Sequence, residues 1–390
     1  MEPEERAQYV GAMKTKICEM LGIEFPILAF THCRDVVAAV TKAGGYGVLG
    51  AAGHTPEQLD IDLKWIADEV GGRPFGVDII VPAKYEGKEE GGLSVGALKD
   101  MIPPKHREFL DDLLTRYGVP ELPADEKVGA IAGESEPPMT YDQALPLMDV
   151  AFSHPITLIV NALGPPPPDM IERAHAAGVL VGALAGKKSH AVRHVAAGVD
   201  IIIAQGHEAG GHTGEIGTMV LVPEIVDAVA PVPVLAAGGI GSGRQMAASL
   251  ALGAEGVWCG SVWLTTEEAE THPAVKEKFL AASSSDTLRS RSRTGKPARQ
   301  LRSAWTEEWE GPNSPGTLGM PLQPMLIGRA SRRIDRAAMN PQNEGAVKLA
   351  NYFVGQIVGS MNESKKADRV VLEMVAEFID AMERVNGMME

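Results

Sequence analysis

Val199-Asp200-Ile201-Ile202-Ile203-Ala204-Gln205-Gly206-His207-Glu208-Ala209-Gly210-Gly211-His212-Thr213-Gly214 decides how the rest of the chain is read. Its first third is an apolar, β-branched run without alternation, the pattern of a strand buried on both faces. The run then opens into a loop with four glycines and two histidines. Glycine lets the backbone turn sharply and lets a flat ring or a phosphate come close. A histidine held in such a loop can move a proton near neutral pH. Local sequence alone is equally consistent with His212 as a hydrogen-bonded loop residue.

The same strand-then-turn unit recurs outward from this stretch. Strands are predicted at 26–29, 46–50, 74–81, 156–160, 180–183, 200–204, 232–236 and 256–259. Helices are predicted at 35–43, 56–70, 169–177, 189–197, 223–229 and 242–252. Thr55 and Pro56 read as the cap and first residue of the second helix. Gly178, Gly198 and Gly253 stop three of the others. Alternating βα units with buried strands make a parallel sheet, and eight of them make a closed (β/α)8 TIM barrel.

Residues 1–20 read as a helical lead-in on the outside of the domain. The barrel is assigned to 21–81 and 151–330. Residues 82–150 break the rhythm and are read as an insertion or lid after strand three, with one helix at 105–117. Residues 331–390 form a C-terminal helical extension. Its amphipathic segment 370–385 is read as packing on the barrel in preference to a second subunit, which leaves a homo-oligomer open. The segments 283–285 and 289–293 read as a polar connection.

In such barrels chemistry sits at the C-terminal ends of the strands. His32, Asp78, Asn161, Gln205, His207 and His212 all fall there, as do Gly238, Gly239 and Gly260. Glycines after strands seven and eight suit an anion held by backbone N–H groups, and Ser242-Gly243 begins a helix whose dipole would help. His207 and Asn161 are candidate substrate contacts, with His32 the next candidate base after His212.

Composition removes other classes. A formal net charge of −15 argues against nucleic acid as partner. Three separated cysteines give neither a disulfide framework nor a zinc signature, and no metal is expected. No apolar run approaches membrane-spanning length, and no secretory leader is apparent. A reducing cytoplasm is the simplest compartment.

Ala204-Gln205-Gly206-x-Glu208-Ala209-Gly210-Gly211-His212-x-Gly214 resembles the signature of the nitronate monooxygenases. So do Pro233-Val234-x-Ala236-Ala237-Gly238-Gly239-Ile240 and Ala251-Leu252-Gly253-Ala254. Thr294–Arg299 and Gly355–Gly359 resemble later family segments. The resemblance implies an FMN barrel whose phosphate lies at the loops after strands seven and eight, around Ala237, Gly238, Gly239, Gly260 and Ser261. It implies that Gln205, Gly206, Gly210 and Gly211 border the isoalloxazine, with Ala29, Phe30 and Asp78 at the neighbouring strand ends. His212 falls at the family's catalytic histidine. The implied reaction is oxidation of alkyl nitronates by O2 to carbonyl compounds and nitrite. Relatives sharing the motif include NAD(P)H-dependent reductases of enoyl thioesters or quinones and acyl-CoA-handling flavoproteins. The chain departs from the family pattern in Phe30-Thr31-His32, in Asp78 where an Asn is usual, and in Gly182-Ala183.

Overall fold

The computed structural model describes residues 14–81, 95–123, 141–162 and 164–389. Strands β1 (Ile27–Thr31), β2 (Tyr46–Gly50), β3 (Gly76–Asp78), β4 (Leu158–Asn161), β5 (Leu180–Ala185) and β6 (Ile201–Gln205) follow one another in space. After the two-residue strand β7 (Gly211–His212) come β8 (Val234–Ala237) and β9 (Gly256–Cys259). The closed barrel runs β1-β2-β3-β4-β5-β6-β8-β9, all parallel, and β9 pairs with β1 through Ile27 and Val257. The eight-stranded barrel expected from the βα rhythm is therefore present.

Side chains alternate across each strand. Leu28, Val48, Val160, Ile203 and Leu235 fill the barrel, whereas Ile27, Leu49, Ile159 and Ile202 pack outward on the helices. The helix Lys16–Leu21 is not on the outside: its Ile17 and Leu21 join the inner cluster and plug the barrel's lower end. An apolar Ile/Leu pair one turn apart stays buried only where the barrel offers open apolar surface, and that is its floor.

Thr55 caps the helix Pro56–Val70 by accepting the Gln58 N–H, with Pro56 at its first position. The helix read from Pro223 instead starts at Thr218 and carries Pro223 inside. The Glu208 carboxylate accepts the Thr218 N–H and so caps it from earlier in the same β6-to-helix connection. Two helices of the outer ring come from beyond the expected barrel limits. Tyr141–Ser153 precedes β4 and contributes Ala144, Leu147 and Met148 to the main core. Ala367–Asn386 packs on the helices Gly243–Ala251 and Arg34–Lys42 and completes the ring after β9.

Between β9 and that last helix lies a second apolar cluster. It joins Trp305, Trp309, Ile327, Leu349 and Val358 to Leu113 and Leu114 of the helix Pro104–Arg116. Arg116 clamps this helix to Glu308 with two parallel 2.8 Å bonds. The helix Leu322–Ala338 spans residue 330, so no boundary separates the chain there. Residues 82–94 and 124–140 of the proposed lid lie outside the described residues.

The polar connection is in part a hairpin. Strands β10 (Thr287–Ser290) and β11 (Ala298–Leu301) are antiparallel, and β11 pairs with β7. This small sheet stands over the C-terminal end of β6.

Candidate active site

Five segments are stitched together at the upper end of the barrel. The Gly206 N–H donates to the Ala237 carbonyl at 2.9 Å, joining the ends of β6 and β8. The Gln356 N–H donates to the Glu208 carbonyl at 2.9 Å, and the Gly355 N–H donates to Ser261 Oγ at 2.8 Å. Arg299, buried on β11, donates from Nε to the His207 carbonyl at 3.1 Å. The strand-six loop is thus held by β8, by the hairpin and by the segment around Gly355, which the β9 exit anchors in turn.

His212 lies on β7 opposite Ala298. Its Nδ1 is 3.2 Å from the Pro297 carbonyl. A carbonyl can only accept, so Nδ1 carries the proton and Nε2 is left with a lone pair. Burial pulls the imidazole pKa below its usual value; the Pro297 bond opposes this and Lys296 adds to it. The ring is therefore a neutral base at pH 7.

The glycines divide into two groups. A side chain at Gly206 would collide with Thr218 at 2.0 Å from Oγ1, and one at Gly210 would meet Val354 and Gly355 backbone at 2.9 Å. Both are demanded by the protein's own packing. At Gly211 a Cβ would meet nothing, and at Gly260 its nearest neighbour would be Phe30 at 3.8 Å. Open space therefore lies beside these two. Gly211, Gly238 and Gly239 also have φ of +72°, +103° and +71°, which disfavours any other residue. Ser261 accepts from Gly355 and keeps its hydroxyl proton free to donate.

The helix dipole expected at Ser242-Gly243 is already engaged. Glu377 of the last helix accepts the Gly243 N–H at 2.9 Å, and Gln245 accepts that of Gly241. The remaining N–H groups for an anion come from the Gly238-Gly239 turn and the Gly260-Ser261 exit.

Phe30 stacks on Trp258 with centroids 5.8 Å apart and meets the His32 ring edge-on at 5.2 Å. His32 Nδ1 is 2.8 Å from the Gly50 carbonyl, and burial lowers its pKa. Asp78 ends β3, is buried, and leaves Oδ2 without a partner. Burial pushes its carboxyl up to about 8. An uncharged, donor-capable carboxyl and the space at Gly211 and Gly260 suit a polar heterocycle with a phosphate tail. A flavin fits this donor set. Ala29 is fully buried in the outer core, so its side chain faces the helices.

His207 sits with Nδ1 3.4 Å from the Gly214 carbonyl, inside its own loop. Asn161 is not brought to the site. Its Oδ1 accepts the Val81 N–H at 3.0 Å and its Nδ2 donates to the Val81 carbonyl at 3.2 Å. It is a fully buried clamp on the β3 exit. Asn161→Leu leaves the Val81 N–H unpaired and lowers stability by about 1–3 kcal/mol in denaturant titration, with ligand affinity of the folded protein unchanged. A loss of ligand binding at unchanged stability would contradict this clamp.

Sequence reasoning did not assign Glu208, Arg299 or Phe353, whose ring lies 6.5 Å from that of His212. Glu208 stands within the motif, and its second role as a helix cap has no local signal. Among the described residues, Cys33, Asp35 and Glu270 are close enough to share an ion, but Cys33 is buried and already donates to the Glu268 carbonyl. No described helix is long and apolar enough to cross a membrane.

Residues 14–377 match the family model of nitronate monooxygenase. A Mycobacterium tuberculosis protein provisionally named a monooxygenase is 60% identical over 97% of this chain and 100% of its own. A provisionally named nitronate monooxygenase of Staphylococcus aureus is 29% identical over 76% of this chain and 80% of its own. Among solved structures, nitroalkane oxidase from Streptomyces ansochromogenes superposes with a TM-score of 0.74 at 27% identity, covering 95% of this chain and 99% of that one. FabK from Thermotoga maritima gives 0.68 at 26% identity, over 96% and 99%. Over nearly all of its described length, therefore, the chain belongs to the nitronate monooxygenase family and is a flavin-dependent oxidoreductase.

Proposed function

We propose that the protein is an FMN-dependent nitronate monooxygenase, converting alkyl nitronates and O2 to carbonyl compounds and nitrite. The observation that carries the reading is His212, fixed through Nδ1 to the Pro297 carbonyl and left with a basic Nε2. Backbone N–H groups of Gly238, Gly239, Gly260 and Ser261 would hold the phosphate. Gln205, Gly211, Phe30 and Asp78 would border the ring, with Gly206 and Gly210 shaping the loop beside it. When bound, the flavin accepts electrons from an electron-rich carbon and delivers them to dioxygen.

The chain's own residues supply the rest. With a neutral nitroalkane, His212 Nε2 takes the proton from the carbon bearing the nitro group, which leaves a nitronate. With a preformed nitronate, that proton is already gone and His212 only orients the anion. The hairpin strand β11 and the Phe353 ring flank the half-buried histidine and limit its contact with water, which strengthens its interactions.

The likeness to FabK favours a second reading, an NAD(P)H-dependent reductase. Anaerobic mixing separates the two. The protein should purify yellow with FMN; a nitronate should bleach it, and NADH or NADPH should not. Bleaching by NAD(P)H with nitronates inert would overturn the first reading, and a colourless protein that fails to take up FMN would overturn both.

A further inference from the structure

The Asp78 carboxyl is the unexplained polar group of the barrel interior. β3 places Val77 in the outer core, while a side chain at Gly76 would meet the inward-facing Tyr46 ring at 3.1 Å. Asp78 shares the Gly76 face by the alternation of the strand, so it points into the barrel at its upper end. Its register partners are Gly50 on β2 and Val160 on β4, which offer no side-chain hydrogen bond. Oδ2 is buried and unpartnered. The buried amide of Asn161, one strand away, is bonded at both ends. A buried polar atom without a partner calls for a ligand or a functional role.

Resting on the flavin reading above, we propose that Asp78 is a redox-tuning residue: it offers its unused carboxyl oxygen to the bound flavin, and reduction of that flavin is coupled to uptake of one proton by the Asp78 carboxylate. Asp78 would thus make this chain's flavin potential pH-dependent in a way that an amide at the same place could not.

The sign follows from burial. The carboxyl titrates near 8. Well below that value it is neutral in both redox states, and reduction takes up no extra proton there. Above it, the carboxylate faces a flavin that gains negative charge on reduction. That charge raises the carboxyl pKa further and draws one proton from solvent. Two electrons go to the flavin from the donor (a nitronate in turnover, dithionite in the titration), which is oxidised; one extra proton goes from water to Asp78, and no protein bond breaks.

The surrounding groups do not supply this titration. On the β2 side stands His32, its pKa drawn down chiefly by desolvation of the ring, with Nδ1 on the Gly50 carbonyl and His54 beyond it. His54 is paired with Asp62. On the β4 side are Val160 and the outward-facing Asn161. Beneath Gly76, the Tyr46 hydroxyl is hydrogen-bonded to Thr157, and burial raises its pKa. Burial is the one cause that moves the Asp78 carboxyl.

The test measures the flavin midpoint potential of the FMN-loaded full chain by dye equilibration with dithionite, from about pH 6 to about pH 9.5, in wild type and D78N. Above about pH 8 the wild-type reduction equilibrium should fall an additional tenfold per pH unit relative to D78N, about 30 mV for a two-electron couple. Below about pH 7 the two slopes should coincide. Equal slopes throughout, with FMN bound to both, would overturn the proposal and leave the flavin reading intact. A wild type that binds no FMN would overturn both. Should D78N not fold, the wild type alone decides. Its reduced-minus-oxidised infrared spectrum at about pH 9 should gain a protonated-carboxyl band that shifts on labelling aspartate with carbon-13. Absence of that band would refute the coupling.

Discussion

His212→Ala should lower turnover of a neutral nitroalkane by roughly 10²–10⁴-fold, the usual range for losing a positioned base. FMN should remain bound, because the contacts proposed for the flavin near β7 come from backbone and from Gly211, not from the imidazole. His212→Asn should behave alike, since an amide restores a hydrogen bond to Pro297 but not a basic nitrogen. A preformed nitronate should recover much of the lost rate in either variant, as its proton is already gone. The pH profile carries the same argument. Burial holds the imidazole below its usual pKa, so the active base form persists below the pH at which a free histidine would protonate. Wild-type activity on the neutral substrate should hold as pH falls to the ordinary histidine range and decline only beneath it. The acidic limb should be absent with a preformed nitronate. Equal rates in wild type and His212→Ala on both substrates would remove His212 from the chemistry. His32 would then be the next histidine at the strand ends, although its Nδ1 is tied to Gly50.

The barrel was legible because a strand buried on both faces must be written in apolar residues. β6 and β9 could be read almost to the residue, and Gly178, Gly198 and Gly253 marked where β5, β6 and β9 were about to begin. The small sheet beside His212 obeys no such rule. β7 has two residues, and the hairpin buries Arg299 and Gln300, which an apolar pattern cannot find. Their partners are distant: Pro297 lies 85 residues from His212 along the chain. The histidine could thus be picked out while its orienting group could not. Position misled the reading of Asn161. It stands at a strand end like the site residues, but in β4 it follows the inward Val160 and so faces out. Glu208 shows the reverse. It lies within the most specific motif of the chain, yet its work is to cap the helix starting at Thr218 and to anchor Gln356, neither of which local sequence reveals.

Gly243 carries the last expectation. Its position after β8 suggested a helix start built for a phosphate, yet its missing side chain serves another helix. A Cβ there would lie 2.1 Å from the Met374 carbonyl and 2.3 Å from the Phe378 nitrogen, both backbone atoms of Ala367–Asn386. Backbone inside a helix cannot yield by a rotamer change, so Gly243→Ala must push the whole helix outward. That separates Met374 and Val375 from the core and breaks the Glu377 cap on Gly243. Overpacking of this kind costs roughly 3 kcal/mol, and detaching the helix that completes the ring exposes apolar surface in addition. Thermal unfolding of the FMN-loaded protein should therefore shift down by several degrees in Gly243→Ala. Glu377→Gln keeps a hydrogen-bond acceptor and should shift it far less. FMN affinity of the folded Glu377→Gln protein should match wild type, because the Gly243 N–H faces the last helix and not the phosphate. An unchanged melting temperature in Gly243→Ala would show that the last helix is loosely held. A large loss of FMN affinity in Glu377→Gln would show that the start of this helix serves the cofactor after all.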